Sequence, residues 1–283
     1  MTKRNNLICY LNGHYLPLKQ AGVSPLDLGF LRGYALLEVM RTYQGQIFCF
    51  SDHYQRLTQG AKILHLRLPL TANQLEQVIY RLINLNNLTE AKIKIVLSGG
   101  IGKDDLVLGP KPTLFLGVES LHLYPSSWYQ TGVKLVTLNY ERPNPDLKLT
   151  NYVEAIRYHD WMVNQKAAEL LYVNRGLVLE CATSNIFFFK NNTLITPREG
   201  VLGGVTRKVV IKLAKKRFPV SLRTVSLKEL LKADEVFITS TTREILPVVQ
   251  INKVKIKNGQ VGEKTRILSS DFQNFLQKNY FTQ

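Results

Sequence analysis

The sequence is poor in cysteine and has no long apolar run. Its 283 residues include only 3 cysteines, Cys9, Cys49 and Cys181. These are too few for a disulfide framework, and none has the spacing of a zinc site. No apolar run approaches the roughly 20 residues of a membrane-spanning helix. Residues 1–6 carry two positive charges without the apolar stretch of a signal peptide. The sequence therefore predicts a cytoplasmic, globular protein with neither a metal site nor a membrane partner.

Acidic residues are also scarce, because 21 Asp and Glu face 37 Lys and Arg, for a net charge of +16. Such an excess raises nucleic acid as a partner. The densest basic cluster, within residues 207–217, falls on a predicted helix whose other face is apolar, so a solvated face explains it. No aromatic residues interleave with it and no nucleic-acid motif accompanies it. Attraction of anionic substrates, or a basic proteome, would explain the excess equally well, and a non-catalytic basic protein that binds nucleic acid is the remote alternative.

Alternating apolar residues around Asn12-Gly13 predict a hairpin over residues 7–18. Phe48 and Phe50 are expected to extend a second hairpin, and Ser51 can cap the helix that follows. A further helix is expected from Thr71 or Asn73, and longer ones over residues 151–166, 206–218 and 263–280.

Strands and helices mix without a regular β-α-β repeat, which predicts an α+β fold with two lobes. Residues 123–132 contain Pro125, Ser126 and Ser127 and read as an interdomain loop. We therefore expect a small N-terminal domain over residues 1–122 and a larger domain over residues 133–283.

A glycine-rich segment, residues 98–103, invites a phosphate-loop interpretation that its spacing does not support. Leu97 stands where the first glycine of that motif is needed, and Asp104 follows Lys103 where a hydroxyl is needed. A flexible loop beside a substrate pocket is the better interpretation, with Ser98 and Gly99 as substrate-binding residues.

Lys148 lies between a proline-containing loop and a helix predicted to begin near Asn151. Burial at such a junction would lower the pKa of the amine and make it a nucleophile for Schiff-base chemistry. Most lysines in loops are solvated, so the position alone decides little.

A second glycine-rich segment, residues 200–206, runs directly into a predicted helix. The N–H groups of Val205 and Thr206 would then form a phosphate cradle, the alternative being that Thr206 caps the helix. The hydroxyl cluster after residue 239 would add phosphate contacts or form an ordinary turn. Pyridoxal 5′-phosphate needs an amine, a carboxylate for the ring nitrogen and a phosphate site. Lys148, Glu180 and the phosphate cradle with its hydroxyl cluster would supply these three, so together they suggest this cofactor.

Seven motifs occur in one order along almost the whole chain. They are Asp27-x-Gly29-x-x-x-Gly33 with Glu38, His53-x-x-Arg56-Leu57, Lys148-x-x-Asn151-Tyr152, Glu180-x-x-x-Ser184-Asn185, Gly204-Val205-Thr206-Arg207, Ser240-Thr241-Thr242-x-Glu244-x-x-Pro247-Val248, and Gly262-x-x-Thr265-Arg266. In this order they resemble the class IV aminotransferases, fold-type IV pyridoxal-phosphate enzymes that include branched-chain aminotransferases, D-amino acid aminotransferases and 4-amino-4-deoxychorismate lyase.

The resemblance implies a two-lobed homodimer with a small N-terminal α/β domain and a larger, β-rich C-terminal α/β domain. Lys148 is then the Schiff-base lysine and the base that moves a proton between the substrate Cα and cofactor C4′. Glu180 pairs with the pyridine nitrogen, and Tyr152 hydrogen-bonds the phenolic oxygen. The phosphate ligands are Arg56, the N–H groups of Val205 and Thr206, and the hydroxyls of Ser240 and Thr241.

The chain departs from the best-known D-amino acid enzymes, which carry a carboxylate-binding arginine where this chain has residues 98–100. Arg32 resembles the arginine of a less usual group of D-amino acid transaminases. It is therefore expected to bind the substrate carboxylate, with Thr242 also on the substrate side. The alternative for Arg32 is an ion pair with Asp27 or Glu38. Thr183 stands where some of that group have a second arginine, so a dicarboxylate such as 2-oxoglutarate is expected to bind less well.

The sequence thus predicts an aminotransferase that moves an amino group between an amino acid, a D-amino acid such as D-alanine or a branched-chain one, and a 2-oxo acid. The alternative with the same cofactor and lysine is 4-amino-4-deoxychorismate lyase.

Overall fold

The computed structural model describes residues 7–281, so the expectation for residues 1–6 lies outside the described part of the chain. The chain forms two compact units. The N-terminal unit runs to His122 and also includes Leu147–Asn151, and the C-terminal unit contains Leu123–Asp146 and the chain from Tyr152 onward. Within residues 7–281, no helix has the length and apolar character needed to cross a membrane.

The N-terminal unit is built on a six-stranded antiparallel sheet with the strand order β2-β1-β6-β5-β3-β4. Its elements are β1 (Ile8–Leu11), β2 (His14–Pro17), α1 (Leu28–Arg32), β3 (Ala35–Tyr43), β4 (Gln46–Ile47), α2 (Phe50–Ile63), α3 (Ala72–Leu85), β5 (Ala91–Ser98) and β6 (Thr113–Ser120). The predicted hairpin over residues 7–18 is confirmed as β1 and β2.

The core of this unit lies between one face of the sheet and helices α2 and α3. Ile93 and Ile95 alternate with half-buried lysines along β5, so that one face of the strand is apolar. Leu75, Ile79 and Leu82 on α3 recur at helical spacing and are fully buried. These residues belong to one hydrophobic cluster, which joins the sheet to the helix.

Two local predictions for this unit are wrong. Phe48 does not extend β4, which ends at Ile47; its ring is buried in the core instead. α2 begins at Phe50 and not after a Ser51 cap, because Cys49 takes a left-handed conformation, φ 46°, that turns the chain into the helix. The expected start of α3 is confirmed, with Thr71 in a capping box.

The C-terminal unit contains a nine-stranded mixed sheet with the order β12-β11-β10-β13-β14-β7-β8-β9, and β15 pairs with β14. Its elements are α4 (Ser126–Thr131), β7 (Val133–Asn139), α5 (Val153–Arg157), α6 (His159–Asn164), β8 (Glu169–Asn174), β9 (Leu177–Cys181), β10 (Asn185–Lys190), β11 (Thr193–Pro197), α7 (Val205–Ala214), β12 (Val220–Arg223), α8 (Leu227–Leu230), β13 (Glu235–Ser240), β14 (Glu244–Ile251), β15 (Val254–Lys255) and α9 (Glu263–Leu276), followed by a π-helical segment, Gln277–Phe281.

Strand β10 is buried on both faces. Phe187, Phe188 and Phe189 are all fully buried, and the Phe187 ring stacks on Phe237 of β13 with centroids 5.0 Å apart. A strand that is apolar on both faces must lie inside a layered structure. The backbone at Glu180, near the end of β9, and at Asn185, at the start of β10, is therefore held in place by buried strands.

Several predicted helix bounds in this unit are wrong. The helix expected over residues 151–166 is divided at Tyr158 into α5 and α6. The helix expected over 206–218 ends at Ala214. The last helix changes from α-helical to π-helical geometry after Leu276 and continues to Phe281, so its expected extent is confirmed. Strand β14 was not predicted, because Pro247 lies within it and proline lacks the N–H that a ladder needs.

Candidate active site

Lys148 lies on a short extended segment of the N-terminal unit that pairs with β3 through its main chain. The Leu37 N–H donates to the Lys148 carbonyl oxygen at 2.8 Å, and the Thr150 N–H donates to the Ala35 carbonyl oxygen at 3.1 Å. The Lys148 side chain is half-buried, and among residues 7–281 its amine has no hydrogen-bond or ion-pair partner. The backbone is therefore fixed while the amine has no competing carboxylate.

A buried charged cluster in the same unit holds Arg56. Glu38 on β3 accepts from Arg56 Nε at 2.9 Å and from Arg56 Nη2 at 2.5 Å, and His53 Nδ1 lies 2.9 Å from the same carboxylate. Glu38 and His53 are fully buried, and the Arg56 side chain is 14% exposed. Glu38 therefore fixes the orientation of the guanidinium, and phosphate binding by Arg56 stays a prediction.

Contacts within this cluster decide the protonation states of Glu38 and His53. Burial alone would raise the pKa of Glu38, but the charges of Arg56 and His53 and their hydrogen bonds outweigh it and hold that pKa well below its usual range. Burial lowers the pKa of His53, and the positive charges of Arg56 and Lys148 lower it further against the opposing effect of Glu38. Glu38 is therefore ionised and His53 neutral near pH 7.

Ser98 and Gly99, two predicted substrate residues, are buried at the end of β5. Ser98 Oγ donates to Asp27 Oδ2 at 2.9 Å, and that oxygen also accepts from Thr113 Oγ1 at 2.6 Å. The Gly99 N–H donates to the Tyr34 carbonyl oxygen at 3.0 Å. Both residues anchor the start of the loop that was expected to be flexible, and their contact with substrate stays a prediction.

Arg32 ends α1 on the surface of the N-terminal unit. It forms an ion pair with Asp105 at 3.2 Å, with side chains that are 43% and 78% exposed. The expected alternative, a pair with Asp27 or Glu38, is wrong, because both carboxylates are buried and hydrogen-bonded to other groups. An exposed pair contributes little to stability, so Arg32 can leave Asp105 for a ligand at small cost.

In the C-terminal unit, Glu180 is the centre of a hydrogen-bonded cluster. Its Oε1 accepts from Arg142 Nε at 2.9 Å and from Arg142 Nη2 at 2.6 Å. Its Oε2 accepts from the Leu202 N–H at 2.8 Å and from Asn185 Nδ2 at 3.3 Å. Donors of this kind stabilise an ionised carboxylate. The sequence motifs single out Glu180, whose pairing with a cofactor stays a prediction, but not Arg142, which lies in the proline-containing loop before Lys148.

Asn185 joins Glu180 to two other predicted parts of the site. Its backbone pairs with Thr239 near the end of β13. Its Nδ2 also donates to the Leu202 carbonyl oxygen at 2.9 Å. A Cβ added to Gly204 would lie 2.1 Å from Asn185 Oδ1, so the cap of α7 is in close contact with this amide. Asn185 appears in the sequence motif after Glu180, but no role was predicted for it.

The first turn of α7 has unpaired donors. Gly204 is the N-cap and provides no side-chain cap, so the alternative in which Thr206 caps this helix is wrong. The first N–H groups of a helix, here those of Val205 and Thr206, have no partner within it, and the helix dipole is positive there. Thr206 Oγ1 is buried without a hydrogen-bond partner in the described part of the chain. An anion would satisfy these groups.

The hydroxyl turn lies after β13. Ser240 Oγ accepts from the Arg243 N–H at 3.3 Å. The hydroxyls of Thr241, Thr242 and Tyr152 make no hydrogen bond to any residue between 7 and 281. These half-buried groups are therefore available to a ligand.

A buried ion pair connects the segment after Glu180 with this turn. Glu169 Oε1 accepts from the Thr183 N–H and from Thr183 Oγ1, the latter at 2.7 Å, and Oε2 accepts from Ser184 Oγ at 2.8 Å and Arg243 Nη1 at 2.5 Å. Arg243 Nη1 also donates to Thr183 Oγ1 at 2.8 Å. An arginine thus does stand beside Thr183, although sequence reasoning missed it because it comes from position 243.

Comparison with known proteins gives the family. Residues 35–251 match the family described as Amino-transferase class IV. The chain is 35% identical over 283 residues to a putative branched-chain-amino-acid aminotransferase of Methanocaldococcus jannaschii, covering 95% of this chain and 96% of that relative. It is 27% identical over 276 residues to D-alanine aminotransferase of Staphylococcus epidermidis, covering 95% and 98%. The branched-chain amino acid aminotransferase of Escherichia coli has the same fold, with a TM-score of 0.88, 25% identity and coverage of 95% and 94%.

The chain therefore belongs to the class IV aminotransferases. The family resemblance, the α+β fold and the assignment as an aminotransferase are confirmed. The non-catalytic alternative is wrong. The basic face of α7 was expected to be solvated, but its first member, Arg207, is half-buried and donates to the Pro197 carbonyl oxygen at 2.8 Å.

Proposed function

We propose that this aminotransferase uses pyridoxal 5′-phosphate, with Lys148 as its nucleophile, and that its amino donors are D-amino acids such as D-alanine. The observation that carries the cofactor assignment is the Glu180 cluster. Within one unit, a buried carboxylate held ionised by Arg142 is joined through Asn185 to a helix N-terminus with unpaired donors.

The residues fit the chemistry of this cofactor. The orphaned Thr206 Oγ1 and the N–H groups at the start of α7 suit a phosphate dianion. The ionised Glu180 suits a protonated ring nitrogen, and the unpartnered Tyr152 hydroxyl suits a phenolate oxygen. In the N-terminal unit, the unpaired amine of Lys148 suits an aldehyde.

When bound, the cofactor supplies an electron-withdrawing ring that stabilises negative charge at the Cα of an amino acid. Lys148 would hold the aldehyde carbon and carry the proton between Cα and C4′. Glu180 would keep the ring nitrogen protonated because Arg142 keeps the carboxylate ionised. The proposed phosphate ligands are Arg56, Val205, Thr206, Ser240 and Thr241.

Borohydride reduction of the purified holoenzyme followed by peptide mass spectrometry tests the nucleophile. We expect a phosphopyridoxyl group on Lys148. Lys148→Ala should lose this label and lower the turnover rate by at least about 10³-fold. The matched control is Lys62→Ala, which removes an exposed lysine from α2. A label on another lysine would contradict the assignment.

A single half-reaction separates transamination from elimination. With an amino acid as the only substrate, the enzyme should convert its cofactor to pyridoxamine 5′-phosphate, measured by chromatography after denaturation. Release of pyruvate from aminodeoxychorismate without that conversion would support the lyase alternative.

The proposed carboxylate anchor for the donor is Arg32. Its exposed position and weak pairing with Asp105 leave it able to bind a ligand. Arg32→Ala should raise KM for amino donors by about tenfold or more, the effect of losing one charge-assisted hydrogen bond, with cofactor affinity unchanged. Asp105→Ala removes only its partner and serves as the control. An unchanged KM in Arg32→Ala would remove this role.

Branched-chain L-amino acids are a second candidate donor class. The 35% identity to the putative branched-chain enzyme of Methanocaldococcus jannaschii favours them. A panel of D- and L-amino acids, scored by the half-reaction above, decides between the two. Conversion of L-leucine but not D-alanine would overturn the D-amino acid proposal.

A homodimer and a cytoplasmic location complete the proposal. Phe30 and Leu106 are 75% and 86% exposed on the N-terminal unit, and such apolar surface suits an interface with a second copy. Sedimentation analysis of Phe30→Ser against the unchanged protein tests this.

Cys9, Cys49 and Cys181 are all free thiols, which suits a reducing compartment, and cell fractionation tests the location.

A further inference from the structure

The C-terminal unit contains a cavity of about 890 Å³. Residues of α4, α5 and α6 and the adjoining ends of β7, β8 and β14 line it. This volume lies within the range of small-molecule sites. Among the described residues, none of those assigned above to the cofactor or to the substrate lines this cavity. It is therefore distinct from the proposed active-site residues.

The cavity walls are mainly apolar. The larger apolar side chains that line it are Trp128, Val133, Met162, Val163, Leu170 and Val249, and smaller ones come from Ala155, Ala167, Ala168 and Ala182. A cavity with walls of this kind favours a ligand with a compact apolar body, because both surfaces then leave water.

One polar group at the cavity, the Arg243 guanidinium, is incompletely satisfied. Its Nη1 donates to Glu169, Thr183 and Ser184, at 2.5, 2.8 and 3.2 Å. Its Nε is buried without a partner, and the Tyr124 ring lies 5.0 Å from the guanidinium carbon. Within residues 7–281, Nη2 donates to no acceptor, although 13% of the side chain is exposed. Nη2 is therefore the accessible donor that an acceptor in the cavity can meet.

The charge of the cavity selects an anion. Glu169 is 3% exposed, and its carboxylate is matched by Arg243. The remaining charged amines are those of Lys134 and Lys166, which also line the cavity. Lys134 Nζ donates to the Gln165 carbonyl oxygen at 2.8 Å, so it has no carboxylate partner there. An anionic ligand thus gains from two positive charges that no carboxylate in this cavity neutralises.

We propose that this cavity is a second binding site, which takes a small monocarboxylate with a compact apolar body. The carboxylate accepts from Arg243 Nη2, and the apolar part lies against Trp128 and Met162. Because Arg243 also holds Thr183 and Ser184, a bound ligand stiffens the segment that follows Glu180. The site does not rest on the proposed cofactor or donor, since none of their residues lines it.

The chain contains two tryptophans, which makes the site directly observable. Trp128 lines the cavity, whereas Trp161 is 42% exposed and does not. In the holoenzyme carrying Trp161→Phe, phenylacetate should change the Trp128 fluorescence in a saturable manner. Phenylacetamide has the same shape without the charge and should bind at least about tenfold more weakly, as expected for the loss of a charge-assisted contact.

Two variants on α5 locate the bound probe. Ala155→Leu fills part of the cavity and should raise the Kd for phenylacetate about tenfold or more, because an added side chain excludes a ligand of this size. Ile156→Leu places the same side chain at the next position, which is 74% exposed, and should leave Kd unchanged. Both variants should keep their transaminase activity without probe.

Four outcomes would overturn the proposal. They are the absence of a saturable response, equal affinity for the amide, equal Kd in the two α5 variants, and loss of the oligomer in Ala155→Leu alone. The third would mean that the probe reports from another site. The fourth would mean that a second copy of the chain covers this face.

Discussion

His53 and Glu38 make the N-terminal unit sensitive to acid. The pKa of buried His53 lies below its ordinary value of 6.5. As the pH falls, His53 is therefore protonated in the unfolded chain at a higher pH than in the folded one. The stability that neutral His53 provides is fully present above about pH 6.5 and is lost as the pH falls, by at most about 1.4 kcal/mol per pH unit. The depressed pKa of Glu38 acts in the same direction below its ordinary value of 4.5.

His53→Asn should therefore flatten the pH dependence of stability between about pH 7 and pH 5. Asparagine retains a donor for Glu38 but cannot take up a proton. The free energy of unfolding from urea titrations at each pH measures the slope. His14→Asn is the control, because His14 is exposed, as are His65, His122 and His159. If His53→Asn keeps the original slope, the buried histidine is not its source.

The pair of Arg142 and Glu180 is expected to show strong coupling. Arg142→Met leaves a carboxylate buried without its partner and should lower the free energy of unfolding by about 3 kcal/mol. Glu180→Gln in the same chain removes the stranded charge, so the double variant should recover most of that loss. A double-mutant cycle in urea, with the cofactor removed, measures the coupling, and additive losses would contradict it.

At the scale of single residues, the sequence predicts the groups that stand in motifs. Lys148, Glu180 and Thr206 are named in this way, and their roles stay predictions. Arg142 and Arg243 were missed because each acts on a carboxylate 38 or 74 residues away. A spacing pattern carries no information on such distant pairs, which form only when the sheet brings the strands together.

The start of α7 gives a prediction at the scale of an element. Gly204→Ala would place a Cβ 2.1 Å from Asn185 Oδ1, so the amide or the helix cap must move. We expect a loss of about 1–3 kcal/mol in the free energy of unfolding and weaker cofactor binding. A Cβ at the neighbouring Gly203 meets nothing within 4 Å, so Gly203→Ala is the matched control. Equal losses in both variants would contradict the argument.

Elements were predictable where local signals decide them. The first hairpin and the capping box of α3 follow from a turn dipeptide and a cap spacing. The break between α5 and α6 has no such signal. There, Tyr158 and Met162 pack against the buried cluster that contains Tyr172, and this contact with the sheet overrides helical periodicity.

The whole molecule carries a formal net charge of +16, and this excess should destabilise the compact state by self-repulsion. Raising NaCl from about 0.01 M to about 0.1 M shortens the Debye length from about 30 to about 10 Å. We expect Tm to rise by roughly 2–4 °C, equivalent to about 1 kcal/mol. Sorbitol at equal osmolality is the control, and a fall in Tm with salt would contradict the expectation.

At this scale the order of seven motifs was enough to predict the family, while the donor stayed open. Motif order reports the fold and the shared chemistry of the cofactor. The proposed carboxylate anchor, Arg32, pairs with Asp105 in a contact that only the folded chain reveals.

The main-chain pairing of Lys148 with β3 has a consequence for the divergence of this enzyme. Hydrogen bonds from backbone atoms at positions 35, 37, 148 and 150 do not depend on which side chains those positions carry. Mutation can therefore alter the side chains around the amine without displacing it. A library that varies Thr150 and its neighbours on β3 should retain the ability to attach the cofactor while its donor preference drifts, which makes this segment a starting point for directed evolution.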